Sequence, residues 1–154
     1  MKKAIAIIIP VLICFGVGFT AQFFQQDAIE NWYPLLNKPE LTPPNIIFPI
    51  AWSVLYLLMG ISIGLIIASD NKNKSFFIKL FVIQLFLNFM WSIVFFYMQN
   101  PLLGFIDIVL LDVVIVIYIY KTFNIFRASS ILFIPYLLWV LFASYLNLYI
   151  LLYN

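Results

Sequence analysis

IIFPIAWSVLYLLMGISIGLIIAS, residues 46–69, decides what kind of molecule this is. The stretch carries no charge, and it exceeds the roughly 20 apolar residues that take a helix across the hydrocarbon of a bilayer. Four further stretches meet the same criterion, at 4–24, 76–98, 102–123 and 129–152. Polar and helix-stopping groups separate them: Asp70-Asn71-Lys72-Asn73-Lys74, then Gln99-Asn100-Pro101, then 124–128. These three connections are short enough to force sequential helices into antiparallel contact. The first connection, 25–45, is much longer. The expectation is an all-α membrane protein, one domain over residues 1–154, built as a bundle of five transmembrane helices with a long first loop.

Composition agrees with lipid as the solvent. Of the 154 residues, 66% are hydrophobic and 9% charged, against roughly half and one quarter in a soluble domain. Mean hydropathy is +1.10. Histidine is absent and Cys14 is the only cysteine, which excludes an internal disulfide, a Cys-rich zinc site, histidine-held haem and histidine-based nucleophilic triads. No metal site is expected. A net charge of +2 leaves no basic face for a nucleic acid.

Met1-Lys2-Lys3 followed by an apolar run has the outline of a secretion signal. The run is long for a signal core, however, and Phe19 stands where cleavage wants a small residue, so it is read as the first span. With five crossings, Lys2, Lys3, Lys72, Lys74, Lys79, Lys121 and Arg127 fall on one side and Lys38 alone on the other. Short loops rich in Lys and Arg stay cytoplasmic. The expected placement is a multi-pass cell-membrane protein, its amino terminus cytoplasmic and its first loop and carboxyl terminus outside.

The 25–45 connection holds Pro34, Pro39, Pro43 and Pro44, which restrict the backbone, and Trp32, Tyr33, Leu35, Leu36 and Leu41, which are costly to leave in water. A lid over the mouth of the bundle satisfies both facts and is the expectation; an anchor at headgroup depth is the alternative. Inside the membrane, polar and bulky amphipathic side chains belong against other helices or a cavity. Helical spacing groups Pro49, Trp52, Leu55, Tyr56 and Met59 on the second span. It groups Gln84, Asn88, Trp91 and Phe95 on the third, and Trp139, Phe142, Ala143 and Leu146 on the fifth, with Asn147 at the margin. Three faces with one Trp each suggest a shared chamber, although tryptophans and tyrosines also gather in interfacial belts, as expected of Tyr97 and Tyr153.

Asp107 and Asp112 lie inside the fourth span, where ionisable groups are expensive. Five residues apart, they sit about 140° around the helix from one another and cannot form a paired-carboxylate centre. A structural role against a neighbouring helix or subunit is the expectation. Gly60 and Gly64 form a Gly-x-x-x-Gly, which serves close packing either within the bundle or between two copies.

Several of these residues carry a resemblance. Trp32-Tyr33, Leu36, Lys38-Pro39 and Pro43-Pro44, followed by Pro49, Trp52, Leu55-Tyr56 and Gly60, resemble the first loop and second helix of the TspO/MBR family, the translocator or tryptophan-rich sensory proteins. Leu87-Asn88, Trp91 and Phe95-Phe96 resemble its third helix, and Pro135-Tyr136-Leu137, Trp139, Phe142-Ala143 and Leu146-Asn147 its fifth. The resemblance implies a five-helix bundle, often a homodimer, whose first loop closes a pocket for porphyrins, notably protoporphyrin IX, and for other apolar ligands. It also implies a part in tetrapyrrole regulation and stress signalling and, for some members, light-dependent breakdown of the porphyrin. Carried over by position, the binding residues would be Trp32, Trp52, Tyr56, Asn88, Trp91, Trp139, Ala143 and Leu146. Trp52 and Trp139 are the candidates for taking part in any light- and oxygen-dependent porphyrin degradation, with no obligatory cofactor. Asp107 matches an acidic family position; Asp112 does not.

Two positions depart from the pattern. Leu41 stands where the family's lid motif has an aromatic, and 147–154 hold no Lys or Arg, so the cholesterol motif of animal members is incomplete and sterol binding is not expected. Two other function classes fit the same residues. One is a non-catalytic carrier or sensor of an apolar ligand; the other is a structural membrane subunit that binds partner helices through Gly60 and Gly64.

Overall fold

A computed structural model describes residues 2–154, apart from the Lys2 side chain, and every regular element in it is helical. α1 runs Lys2–Asn31, α2 Ile47–Ile67, α3 Lys74–Trp91, α4 Pro101–Phe123 and α5 Arg127–Tyr153. All five are long and apolar enough to cross a bilayer.

The first connection is shorter than expected. α1 continues seven residues past the expected end at Phe24, through Gln25 to Asn31, and a 3-10 turn follows at Tyr33–Leu35. Gln, Ala and Glu are good helix formers, and pairs one turn apart hold the extension: Asn31 Nδ2 donates to Asp27 Oδ1 at 2.8 Å. At 1.5 Å per residue the 30-residue α1 is about 45 Å long. It therefore outruns the roughly 30 Å hydrocarbon layer, whose edge is all that an apolar run can mark.

α3 carries a second unexpected feature. From Ser92 to Tyr97 it widens into a π-helix, where the Met98 N–H reaches back to the Ile93 carbonyl at 2.8 Å. The backbone then turns through Gln99 at φ 50, and Asn100 caps α4 by accepting from the Leu103 N–H at 3.0 Å. Pro101 occupies the first turn of α4, where its missing N–H costs nothing.

α1 packs along α2, α4 along α5, and α2 against α5, while the π-helical stretch leans on α1. Gly60 and Gly64 make the first of these contacts. A Cβ on Gly60 would stand 2.5 Å from the Val11 Cα, and one on Gly64 2.7 Å from the Ile7 Cα. The Gly-x-x-x-Gly thus lets α1 and α2 approach within one chain. Deeper in the bundle, Ser62, Tyr118 and Ser129 join three helices through hydroxyls 2.6 to 3.1 Å apart. Tyr97 and Tyr153 are exposed near helix ends, as belt residues are.

Candidate ligand pocket

A cavity of about 390 Å³ lies at the end of the bundle that bears the 32–46 connection. Its floor is a hydrogen-bonded relay between three helices. The Tyr56 hydroxyl donates to Asn88 Oδ1 at 3.0 Å, and Asn88 Nδ2 donates to the Tyr136 oxygen at 3.2 Å. Tyr136 and Asn88 are buried among apolar neighbours, so each polar atom needs such a partner. The spacing Trp52/Tyr56 on α2 sets two rings one turn apart on the same face. They stack with centroids 5.5 Å apart at 28°.

A second aromatic pair lines the same cavity. Trp91 and Phe95 lie 5.2 Å apart at only 9°, with Phe96 edge-on to Trp91 at 5.5 Å. The Trp91 indole N–H donates to Asn147 Oδ1 on α5 at 3.1 Å, and Asn147 Nδ2 donates to the Pro101 carbonyl at 2.8 Å. Ala143 and Leu146 complete the α5 wall. α1 contributes Phe15, Gly18, Phe19, Gln22, Gln25 and Ile29, and Gln25 Nε2 donates to the Ser92 hydroxyl at 2.6 Å.

Of the residues singled out from sequence, Trp52, Tyr56, Asn88, Trp91, Ala143 and Leu146 line this cavity together. Trp32 and Trp139 do not reach the lining. Trp32 packs edge-on against Phe95 at 5.5 Å, and Trp139 packs against Phe48, itself a lining residue, at 6.0 Å. Tyr33, next to Trp32, takes the lining position instead; its ring lies 5.7 Å from Phe96, and the Lys38 ammonium stands 4.6 Å from the centre of the Tyr33 ring while donating to the Tyr33 carbonyl at 2.9 Å. Burial raises the Tyr33 phenol pKa from 10.0 to about 12. Pocket residues missed from sequence are mainly those of α1. Their spacing of three or four residues, with Gln22 and Gln25 continuing an otherwise apolar face, is the signal that marks them.

Asp107 and Asp112 lie outside the cavity. Asp112 Oδ2 accepts from Ser144 at 2.7 Å, joining α4 to α5, whereas Asp112 Oδ1 and Asp107 Oδ2 have no hydrogen-bond partner among the described residues.

Comparison with known proteins places this architecture. The TspO/MBR family profile matches residues 10–153. The tryptophan-rich protein TspO of Archaeoglobus fulgidus is 42% identical over 99% of this chain and 97% of its own length. That of Chlorobaculum tepidum is 38% identical over 97% and 96%. The translocator protein of Ovis aries is 30% identical over 84% of this chain and 79% of its own. The chain belongs to the TspO/MBR family, and its five apolar helices make it a multi-pass membrane protein.

Proposed function

We propose that the cavity binds a flat tetrapyrrole such as protoporphyrin IX, and that the protein serves tetrapyrrole regulation, transport or light-dependent breakdown. The observation that carries this reading is the pair of stacked aromatic units, Trp52 on Tyr56 and Trp91 on Phe95, facing one space. A macrocycle is a broad π surface, so such walls supply both apolar burial and stacking. The volume of about 390 Å³ falls within the roughly 300–1,000 Å³ of small-molecule pockets. Amide and hydroxyl groups from Gln22, Gln25, Asn45 and Ser92 supply partners for carboxylate or pyrrole edges. In this reading the 32–46 connection covers the pocket mouth, the amino terminus is cytoplasmic because the cationic connections follow it there, and two copies associate in the membrane.

Titration with protoporphyrin IX in the dark, followed through Trp fluorescence, tests binding. Saturable quenching is expected, and its absence returns the protein to the structural-subunit class. Illumination of the complex then separates turnover from carriage. Trp52 lines the cavity and Trp139 stands behind Phe48, so Trp52→Phe is expected to slow loss of the porphyrin absorption band more than Trp139→Phe does. Unchanged loss in both removes these residues from any photochemistry.

A non-catalytic carrier or sensor has a specific observation in its favour. Among the described residues the lining holds no carboxylate, lysine, arginine or cysteine, so no charged group stands beside the Ser53 and Ser92 hydroxyls to activate them. The names of relatives, sensory protein and translocator protein, accord with that reading. A carrier returns its porphyrin unaltered after light and oxygen, whereas an enzyme yields a defined new pigment over several turnovers.

A further inference from the structure

The cavity is covered at one end, closed beneath and open at the side. At the loop end Tyr33 packs on Phe96, and Asn37 is tied to the end of α5: its backbone N–H donates to Asn154 Oδ1 at 2.8 Å and its Nδ2 to the Tyr153 carbonyl at 3.0 Å. Beneath, α1 and α2 are zipped together. Gly64 receives Ile7, Gly60 receives Val11, and Gly18 lies directly against the Tyr56 ring.

Above Gly18 the two helices no longer seal against each other. Lining residues from both are exposed there: Phe19 at 78% and Gln22 on α1, and Pro49 and Ser53 on α2, with Asn45 just before it. From Ile47 to Tyr56 the open stretch of α2 rises about 14 Å, which matches one leaflet of a roughly 30 Å hydrocarbon layer. Its surroundings are apolar at depth and become polar toward the loop end, where Gln22, Gln25 and Asn45 stand.

We infer that the cavity is entered laterally, through the gap between α1 and α2, and that its ligand is an amphiphile dissolved in the leaflet at the loop end. The ligand's apolar body slides between Phe19 and Ser53 onto the Trp52–Tyr56 stack, while its polar edge stays near Gln22 and Asn45. This inference rests on the ligand-binding reading of the cavity given above. It differs from that reading in naming the phase that supplies the ligand: the bilayer, and not water past the 32–46 connection.

Two measurements test it. In reconstituted vesicles, protoporphyrin IX and its more lipid-partitioning dimethyl ester are compared at equal free aqueous concentration, and the association rates are expected to follow the two probes' mole fractions in the membrane. Ser53→Phe, which narrows the gap, is expected to slow association and dissociation together by about tenfold, the signature of a gate. Rates that follow the free aqueous concentration and ignore Ser53→Phe overturn the inference. The second measurement needs no porphyrin. With Trp32, Trp91 and Trp139 all changed to Phe, Trp52 is the only indole, and vesicles of phosphatidylcholine brominated along the acyl chain should quench it. Ser53→Phe should relieve that quenching. Unquenched Trp52 in a folded single-Trp protein closes the lateral route, whether or not protoporphyrin IX binds. Absence of porphyrin binding with Trp52 still quenched sinks the tetrapyrrole reading and leaves the portal standing.

Discussion

Trp91 and Asn147 meet across the bundle with the indole N–H 3.1 Å from the amide oxygen, and Asn147 spends its own N–H on the Pro101 carbonyl. One asparagine thereby ties α3, α4 and α5 together at the level of the cavity. Side-chain hydrogen bonds between membrane helices average about 0.6 kcal/mol and reach about 1.7. Asn147→Leu removes two of them, so a loss of roughly 1–2 kcal/mol is expected in reversible unfolding from mixed micelles. Trp91→Phe should cost about 1 kcal/mol, chiefly by stranding the Asn147 oxygen. The double variant should cost less than the sum of the two, and strict additivity would show that the bond contributes nothing.

The glycines offer an internal control on how α1 and α2 meet. Gly60→Ala and Gly64→Ala drive a methyl onto backbone atoms of Val11 and Ile7, which cannot swing aside as a side-chain end can. Separating the helices should cost about 2 kcal/mol or more in thermal unfolding. Gly16→Ala places its methyl where nothing lies within 4 Å, and there alanine should be neutral or should gain up to about 1 kcal/mol of helix propensity. Equal losses at all three positions would contradict the packing described.

The bundle was legible because each span announces itself by length and apolarity, and because Asp70 to Lys74 and Gln99 to Pro101 stop helices by local chemistry. The faces of α2, α3 and α5 were legible because a polar or aromatic residue inside lipid has few places to go. Trp52, Tyr56, Asn88 and Trp91 accordingly come together. Hydropathy says nothing about a helix that continues into water, so Gln25 to Asn31 read as loop. The π-helical stretch at Ser92 leaves no mark on apolarity either, since it rearranges backbone hydrogen bonds within an unbroken span. Trp32 and Tyr33 were both visible as aromatics to be covered; which of them faces the cavity depends on the 3-10 turn, a matter of backbone geometry.

Asp107 and Asp112 should behave differently from one another when made apolar. Asp107→Leu removes a carboxyl with a buried oxygen that no described residue pairs, and a higher melting temperature is expected. Asp112→Leu also breaks the 2.7 Å bond from Ser144, so its gain should be smaller or reversed. Neither residue lines the cavity, and porphyrin titration of both variants should give the wild-type Kd. Loss of binding in Asp107→Leu, with the fold intact, would move the ligand site toward α4.

Tyr33 gives the 32–46 connection a pH limit. Its phenol titrates at about 12 when docked, against 10.0 for a free phenol, because burial disfavours the charged form. Below pH 10 the ring is neutral whether docked or not, and its contribution to docking is fully present. Between pH 10 and about 12 the undocked phenol ionises first, so docking weakens as pH rises through that window. Fluorescence of the adjacent Trp32, followed from neutral to alkaline pH in a variant keeping that indole alone, should change there and revert on neutralisation. Tyr33→Phe keeps the ring against Phe96 and cannot ionise, so it should abolish this alkaline limb while leaving the neutral-pH signal in place. A limb that persists in Tyr33→Phe would assign it to another group and remove Tyr33 from control of the connection.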